Sequence, residues 1–271
     1  MFRRPLGVLL ATIFTFALVT APPASAETVD LTGTVALSNC SGSVVRLAGA
    51  PATAPALVLS NGHCLEEGFP QPGEVIVDRP SQRTFTLLAG DGREVTTLRA
   101  TKLLYATMTG TDASVYQLGT TYADIQRDHG IAPLELSEER PGAGTGITVA
   151  SGYWKKTYAC SVDGFVRELR EGGYTWRDSI RYTPECQTIG GTSGSPIIDT
   201  ASRQVVGVNN TANENGDRCT MNNPCEVGAN GQVTVRHGAK YGQQTYRLYG
   251  CLTPASEIEL ERPACTLPKP A

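Results

Sequence analysis

The chain of 271 residues carries 23 basic and 26 acidic side chains, three histidines and a formal charge of −3. Lysine and arginine do not cluster, so it lacks the concentrated positive surface that phosphate binding requires, and no nucleic acid partner is expected. Apart from one run at the start, no stretch is long and apolar enough to suggest a membrane span.

That first run reads as a secretory signal peptide over residues 1–26: Arg3 and Arg4, the apolar PLGVLLATIFTFALVTA, then the small residues ASA ending at Ala26. The apolar part falls short of the roughly 20 residues a membrane anchor needs. Cleavage would leave a chain starting near Glu27 with 21 basic and 26 acidic residues. It would be secreted, extracellular and free of the membrane, and long enough for one large or two small β domains.

Beyond the signal, short runs rich in Val, Thr, Leu, Ile and Tyr alternate with turn residues. They are VVRLAG (44–49), ALVLSNG (56–62), EVIVDRP (74–80), the long hairpin TFTLLAGDGREVTTLRATKLLYAT (84–107) turning at its GDG, and DASVYQLG (112–119). TYADIQRDHG (121–130) is a mild helix candidate. Residues 129–146, HGIAPLELSEERPGAGTG, lack periodicity and read as a linker between two halves. The second half resumes with ITVASGYW (147–154), GFVREL (164–169), YTWRDSIRYT (174–183), SPIID (195–199), QVVGVNN (204–210) and QVTVRHG (232–238). A second mild helix candidate lies near ASEIELE (255–261). Many short strands with few helices predict an all-β sandwich or barrel.

All eight cysteines, Cys40, Cys64, Cys160, Cys186, Cys219, Cys225, Cys251 and Cys265, follow the signal. An even number in an exported chain predicts up to four disulfides. No Cys-x-x-Cys occurs and the histidines are far apart, so no metal and no cofactor are expected.

Three stretches carry chemistry. VLSNGHCLEE sets His63 beside Cys64 after a strand, GTDASVYQL sets Asp112 at the head of an alternating strand, and GGTSGSPII sets Ser193 among glycines. A hydroxyl is a poor nucleophile at neutral pH; it needs a neutral imidazole to take its proton and an acid to orient that imidazole. His, Asp, Ser is one of the few chain orders in which such a triad is known. Asp91, Asp124 and Asp128 are alternatives, but none heads an apolar strand as Asp112 does. Gly191 and Ser193 would supply two backbone N–H donors for an oxyanion. A rival order, Ser193, Asp217, His237, would suit an α/β-hydrolase esterase. That fold wants Gly-x-Ser-x-Gly and a helix directly after the serine, where this chain has Ser195, Pro196 and a strand-like run.

Together the His63–Cys64 pair, the Asp112-Ala113-x-Val115 strand, VASGYW (149–154), GTSGSP (191–196) and VVGVNN (205–210) resemble the chymotrypsin-fold serine proteases, nearest to bacterial members with a GxSGSP loop. The resemblance implies two antiparallel six-stranded β-barrels with the active site in the cleft between them, and a short C-terminal helix or tail. It implies a secreted serine endopeptidase in which Ser193 attacks the carbonyl, His63 serves as base and then acid, and Asp112 fixes the His63 tautomer. It also implies a Cys40–Cys64 disulfide; proximity in sequence adds Cys160 with Cys186, Cys219 with Cys225, and Cys251 with Cys265. The expected organisation is a first barrel over 27–135, a second over 136–250, and a disulfide-linked tail over 251–271. That tail reads either as a helix and stapled end packed on the second barrel or as an exposed extension.

For substrate selection the resemblance points to Gln187, Thr188, Val208 and Asn209. Gln187 stands six residues before Ser193, where trypsin-like members carry an acid, so cleavage after Lys or Arg is not expected. The loop is similar to that of glutamyl-endopeptidase-like members, but their histidine on the next strand is replaced by Asn209 and Asn210. The expectation is cleavage of polypeptides after a polar or small residue, by a monomer. Thr192 stands where the zymogen-activated branch has an aspartate, and ETVDLTG lacks an Ile-Val-Gly-Gly start. Activity without a cleavage switch is therefore expected. A disulfide-stapled secreted β-protein that only binds a partner is the non-enzymatic alternative.

Overall fold

A computed structural model describes residues 1–2 and 28–270; the expected signal peptide, beyond Met1 and Phe2, lies outside the described residues. Each of the short runs picked out beyond the expected signal contains a strand. The first half forms β1 (Thr34–Ala36), β2 (Ser41–Arg46), β3 (Pro55–Ser60), β4 (Val75–Pro80), β5 (Thr84–Leu88), β6 (Glu94–Thr107), β7 (Ala113–Thr121) and β8 (Leu134–Glu135). Six of them close into a ring in the order β1-β5-β6-β7-β3-β2, with β2 returning to β1; β4 is added on β6 and β8 on β2. The second half forms β9 (Gly146–Ser151), β10 (Lys156–Glu171), β11 (Tyr174–Tyr182), β12 (Pro196–Asp199), β13 (Val205–Ala212), β14 (Cys225–Val227), β15 (Val233–Val235) and β16 (Lys240–Gln244). Its ring runs β11-β16-β13-β12-β9-β10 and closes by pairing of β10 with β11, while β14 and β15 make a hairpin on β10. Both halves are thus antiparallel six-stranded β-barrels, and closure removes the exposed edges an open sheet would leave.

β2 and β3 are buried almost throughout, on both of their faces. Val44, Ala56 and Val58 point into the first barrel with Phe85, Leu87 and Tyr116. Their neighbours Val45, Leu57 and Leu59 turn to the other face and join Tyr105, Val115, Ala150, Ile198 and Val205 in a cluster that spans both barrels. The second barrel has its own interior of Ile147, Val149, Ile180, Ile197 and Val206. The segment read as a linker crosses this seam: β8 runs parallel to β2, and Leu136 bridges to Val205.

The helix candidate at 121–130 is present as α1 (Tyr122–His129), with Thr121 and Asp124 forming a capping box and Gly130 ending it at φ 68°. The candidate near 255–261 is not helical. Ser256 has φ 61°, Leu252 bridges to Ile258, and Glu259 N–H donates to the Cys251 carbonyl, so this segment folds back on itself as a hairpin. The C-terminal helix lies earlier, as the four-residue α2 (Tyr246–Tyr249). Nor does the tail sit on the second barrel alone. Gln117 of β7 donates to the Ser256 carbonyl, Tyr105 of β6 donates to the Pro268 carbonyl, and Leu267 is buried in the shared cluster. The eight cysteines form the disulfides Cys40–Cys64, Cys160–Cys186, Cys219–Cys225 and Cys251–Cys265.

Because Leu267 is one of the tail residues buried in that cluster, Leu267→Ala should destabilise the fold by roughly 2–3 kcal/mol. The measurement is the midpoint of equilibrium denaturation, and an unchanged midpoint would show that the tail contributes nothing to the seam.

Candidate active site

β3 ends at Ser60, and the chain then makes a tight 3₁₀ turn, Gly62–Cys64, that presents His63 at the barrel's end. Only glycine fits at 62, since a Cβ there would run into the Thr107 carbonyl. The turn is pinned by the Cys40–Cys64 disulfide and by buried Arg83, whose Nη2 donates to Asn39 Oδ1 at 2.6 Å while Asn39 Nδ2 donates to the Cys64 carbonyl. Asp112, just before β7, is fully buried. Its Oδ2 lies 2.7 Å from His63 Nδ1, and its Oδ1 accepts from the His63 backbone N–H at 3.1 Å. A carboxylate only accepts, so Nδ1 carries the proton and Nε2 is left free on the other side of the ring. Burial works against protonation of His63, but the charge of Asp112, its hydrogen bond and the charge of Glu171 outweigh it. The imidazole pKa is held above its ordinary 6.5.

Ser193 sits in the loop that enters β12, between two residues of positive φ, Gly191 at 85° and Gly194 at 78°. At Gly194 a Cβ would strike the Ser41 carbonyl. The loop is fixed by its own side chains. Thr192 Oγ1 donates to the Ile189 carbonyl at 2.6 Å, and Asn209 Nδ2 donates to both the carbonyl and the hydroxyl of Thr192. It is also tied to the first barrel: Ser41 N–H donates to the Ser193 carbonyl at 2.8 Å, and Gly194 N–H donates to Asn61 Oδ1 at 2.6 Å. The other end of that amide, Asn61 Nδ2, donates to the Asp112 carbonyl at 2.9 Å.

Among the described residues the N–H groups of Gly191 and Ser193 have no acceptor. Trp154 bears on this. Its indole Nε1 donates to the Gly190 carbonyl at 2.7 Å. Within one planar trans peptide the C=O and N–H point opposite ways, so holding the Gly190 carbonyl toward Trp154 directs the Gly191 N–H away from it. Tyr153 and Trp154 also crowd Gly191, where a Cβ would come within 3.0 Å of each.

His63, Asp112 and Ser193 line one cleft of about 360 Å³. The Ser193 hydroxyl donates to the Asn210 carbonyl at 3.2 Å and makes no hydrogen bond to His63; a turn about χ1 separates this rotamer from one facing the imidazole. Of the four residues expected to select substrate, Thr188 and Asn209 line the cleft. Gln187 does not: it is exposed, and a tight turn folds its amide back onto the Pro184 carbonyl. Val208 does not either, because alternation along β13 buries it on the opposite face from Asn209. The rival esterase set is not assembled, since Asp217 and His237 lie outside the cleft lining and a strand follows Ser193. The sulfurs of Cys40 and Cys64 are close to His63 but joined to each other, which leaves no thiolate for a metal.

Other residues of the cleft escaped the sequence reading. Glu171, at the end of β10, is buried and accepts from the Thr211 hydroxyl at 2.6 Å and the Asn222 N–H at 2.9 Å; burial raises its pKa. Phe69 meets the His63 ring edge-on at 5.7 Å. Met108, Trp176, Glu214 and Lys240 are also in the lining. The Glu-Gly-Gly turn at 171–173 was the only local sign of any of them, and it reads as a hairpin.

Residues 40–208 match a family model described as the trypsin-like peptidase domain. No curated protein sequence matches the chain. Among solved structures it is similar to the MamO protease domain of Magnetospirillum magneticum, with 12% identity, a TM-score of 0.52, and coverage of 83% of this chain and 98% of that one. It is also similar to the active form of the Rv3671c protease of M. tuberculosis, with 15% identity, a TM-score of 0.49, and coverage of 96% and 97%. At these identities structural likeness speaks for the fold alone, whereas the family model spans most of the chain and takes in His63, Asp112 and Ser193. The chain therefore belongs to the trypsin-like peptidase domain family, whose fold and serine-peptidase class it shares.

Proposed function

We propose that the protein is a secreted serine endopeptidase that cleaves polypeptides through an acyl-enzyme on Ser193. The observation that carries this reading is the buried Asp112 carboxylate bonded to His63 Nδ1, in the same cleft as a serine flanked by two unpaired N–H groups. In the proposed cycle the Ser193 hydroxyl turns from the Asn210 carbonyl to His63 Nε2, which takes its proton as the oxygen attacks the substrate carbonyl. Negative charge then develops on the carbonyl oxygen opposite the Gly191 and Ser193 N–H groups. Asp112 stabilises the imidazolium, which returns its proton to the leaving amine, and water repeats the sequence on the acyl-enzyme. A register shift between Asn209 and Thr211 supports the binding side of this reading, because it leaves the Asn210 carbonyl facing the cleft, where an extended backbone can pair with it.

The contacts of Thr192, Asn209 and Trp154 hold the oxyanion loop through local hydrogen bonds, which supports activity without a cleavage switch. Four disulfides suit an oxidising compartment, and no described helix is long and apolar enough to cross a membrane.

A fluorophosphonate probe should label wild-type protein at Ser193 and fail to label Ser193→Ala or His63→Ala; labelling that survives loss of His63 would remove it as the base. The acid limb should follow from the raised pKa of His63. The base must be neutral, so kcat/KM rises with pH through that pKa, with its midpoint above 6.5. A midpoint below 6.5 would contradict the Asp112 pairing. Trp154→Phe keeps an aromatic side chain but loses the donor to Gly190. It should lower kcat about tenfold, the factor for one hydrogen bond of about 1.4 kcal/mol, and leave KM nearly unchanged. An unaltered kcat would show that the loop holds its shape without the indole.

A further inference from the structure

Among the described residues that line the cleft, Lys240 is the one lysine or arginine, and its ammonium is unpaired. Lys240 opens β16 directly opposite Ala212 of β13, on the strand next to the Asn209–Ala212 stretch that walls the recess beside Ser193. It is half-buried, and among the described residues its ammonium makes neither a hydrogen bond nor an ion pair. Burial lowers its pKa, and the attraction of Glu214 only partly offsets that. Such a cation has lost part of its hydration without gaining a partner. Thr188 lines the same cleft, is 95% buried, and its hydroxyl has no hydrogen bond among the described residues.

The carboxylates of the cleft do not fill this need. Asp112 is bonded to His63 through both oxygens, and Glu171 to Thr211 and Asn222. Glu214 is exposed and forms no ion pair with Lys240. Lys240 and Thr188, one of them charged, are thus unpaired donors in a recess whose own carboxylates are engaged or turned to solvent.

We infer that the recess selects an acidic side chain, Asp or Glu, on the residue whose carbonyl is attacked, with Lys240 as its counter-ion and the Thr188 hydroxyl as a second donor. This rests on Ser193 being the nucleophile, and it narrows the polar-or-small expectation drawn from the sequence. Gln187, on which that expectation partly stood, lies outside the cleft, whereas Lys240 is inside it. A carboxylate accepts from both donors and restores the charge balance of the ammonium, which an amide of the same shape does not.

The test pairs isosteric peptide substrates, Glu against Gln and Asp against Asn at the cleaved position, with Lys240→Gln as the variant. Fluorophosphonate labelling of Ser193, which is indifferent to that side chain, runs in parallel. Wild-type protein should cleave the acidic member at least roughly tenfold faster in kcat/KM, in keeping with pairing of a partly desolvated charge. Lys240→Gln should abolish the preference while Ser193 is still labelled, which also shows that the variant is folded. Equal cleavage of Glu and Gln peptides by labelled wild type, a preference that survives in Lys240→Gln, or preferred cleavage after Lys or Arg through Glu214 would each overturn the role of Lys240 and leave the nucleophile standing. Absence of labelling in wild type would overturn both.

Discussion

The amide of Asn61 spans the seam between the two barrels, and the geometry of the cleft hangs on it. One end donates to the backbone of Asp112, on the strand that orients His63; the other accepts from Gly194, the residue after Ser193. A fully buried amide cannot release either bond to water, so the two halves of the site are registered to one another at a cost of roughly 1–3 kcal/mol for each group left unpaired. Ser41 repeats the device a few ångströms away by donating to the Ser193 carbonyl, and Ser60 in turn donates to the Ser41 carbonyl. The proposed nucleophile on one barrel and the proposed base on the other need such bridges, because apolar packing alone is non-directional.

That packing is nonetheless what makes the bridges durable. β2 and β3 are buried on both faces, one inside their barrel and one against the second barrel. The tail extends the shared face, with Cys251, Leu252 and Leu267 joining a cluster that includes Leu57, Leu59 and Val205. The Cys251–Cys265 disulfide closes a short loop within this segment and limits how far it strays when unfolded. Strap, strands and linker therefore act on one surface, and the polar contacts lie beside it where water is excluded.

What the sequence discloses divides along the same line. His63, Asp112 and Ser193 were legible because each sits in a short stretch whose neighbours, a disulfide cysteine, an alternating strand, flanking glycines, bear on its chemistry. The strands were legible because their period of two is local. Asn61, Trp154, Glu171 and Lys240 were not, since each acts on a partner 36 or more positions away or on a cleft that exists only once both barrels close. Gln187 was chosen by its place in the chain, whereas a local turn folds its side chain onto the Pro184 carbonyl and away from the cleft lining. The hairpin at residues 252–258 misled because an acidic, partly apolar stretch matches a helical period, while Ser256 in a left-handed conformation ends any helix there.

Charge in the cleft is arranged so that its carboxylates are not interchangeable. Asp112 is buried and bonded to the imidazole, so its charge acts almost entirely on His63. Glu171 is equally buried, but its oxygens are taken by a hydroxyl and a backbone N–H, and its charge reaches His63 only through space. Both favour the imidazolium, while burial of the ring opposes it, so the basicity of His63 is a balance of opposed effects and not a property of the pair alone. The same burial that weakens an isolated cation makes each nearby charge count for more, since fewer waters screen it. Lys240 lies under that rule with no acid bonded to it, which is why one enclosed space can hold a base tuned by its own carboxylates and a cation left open to a carboxylate from outside.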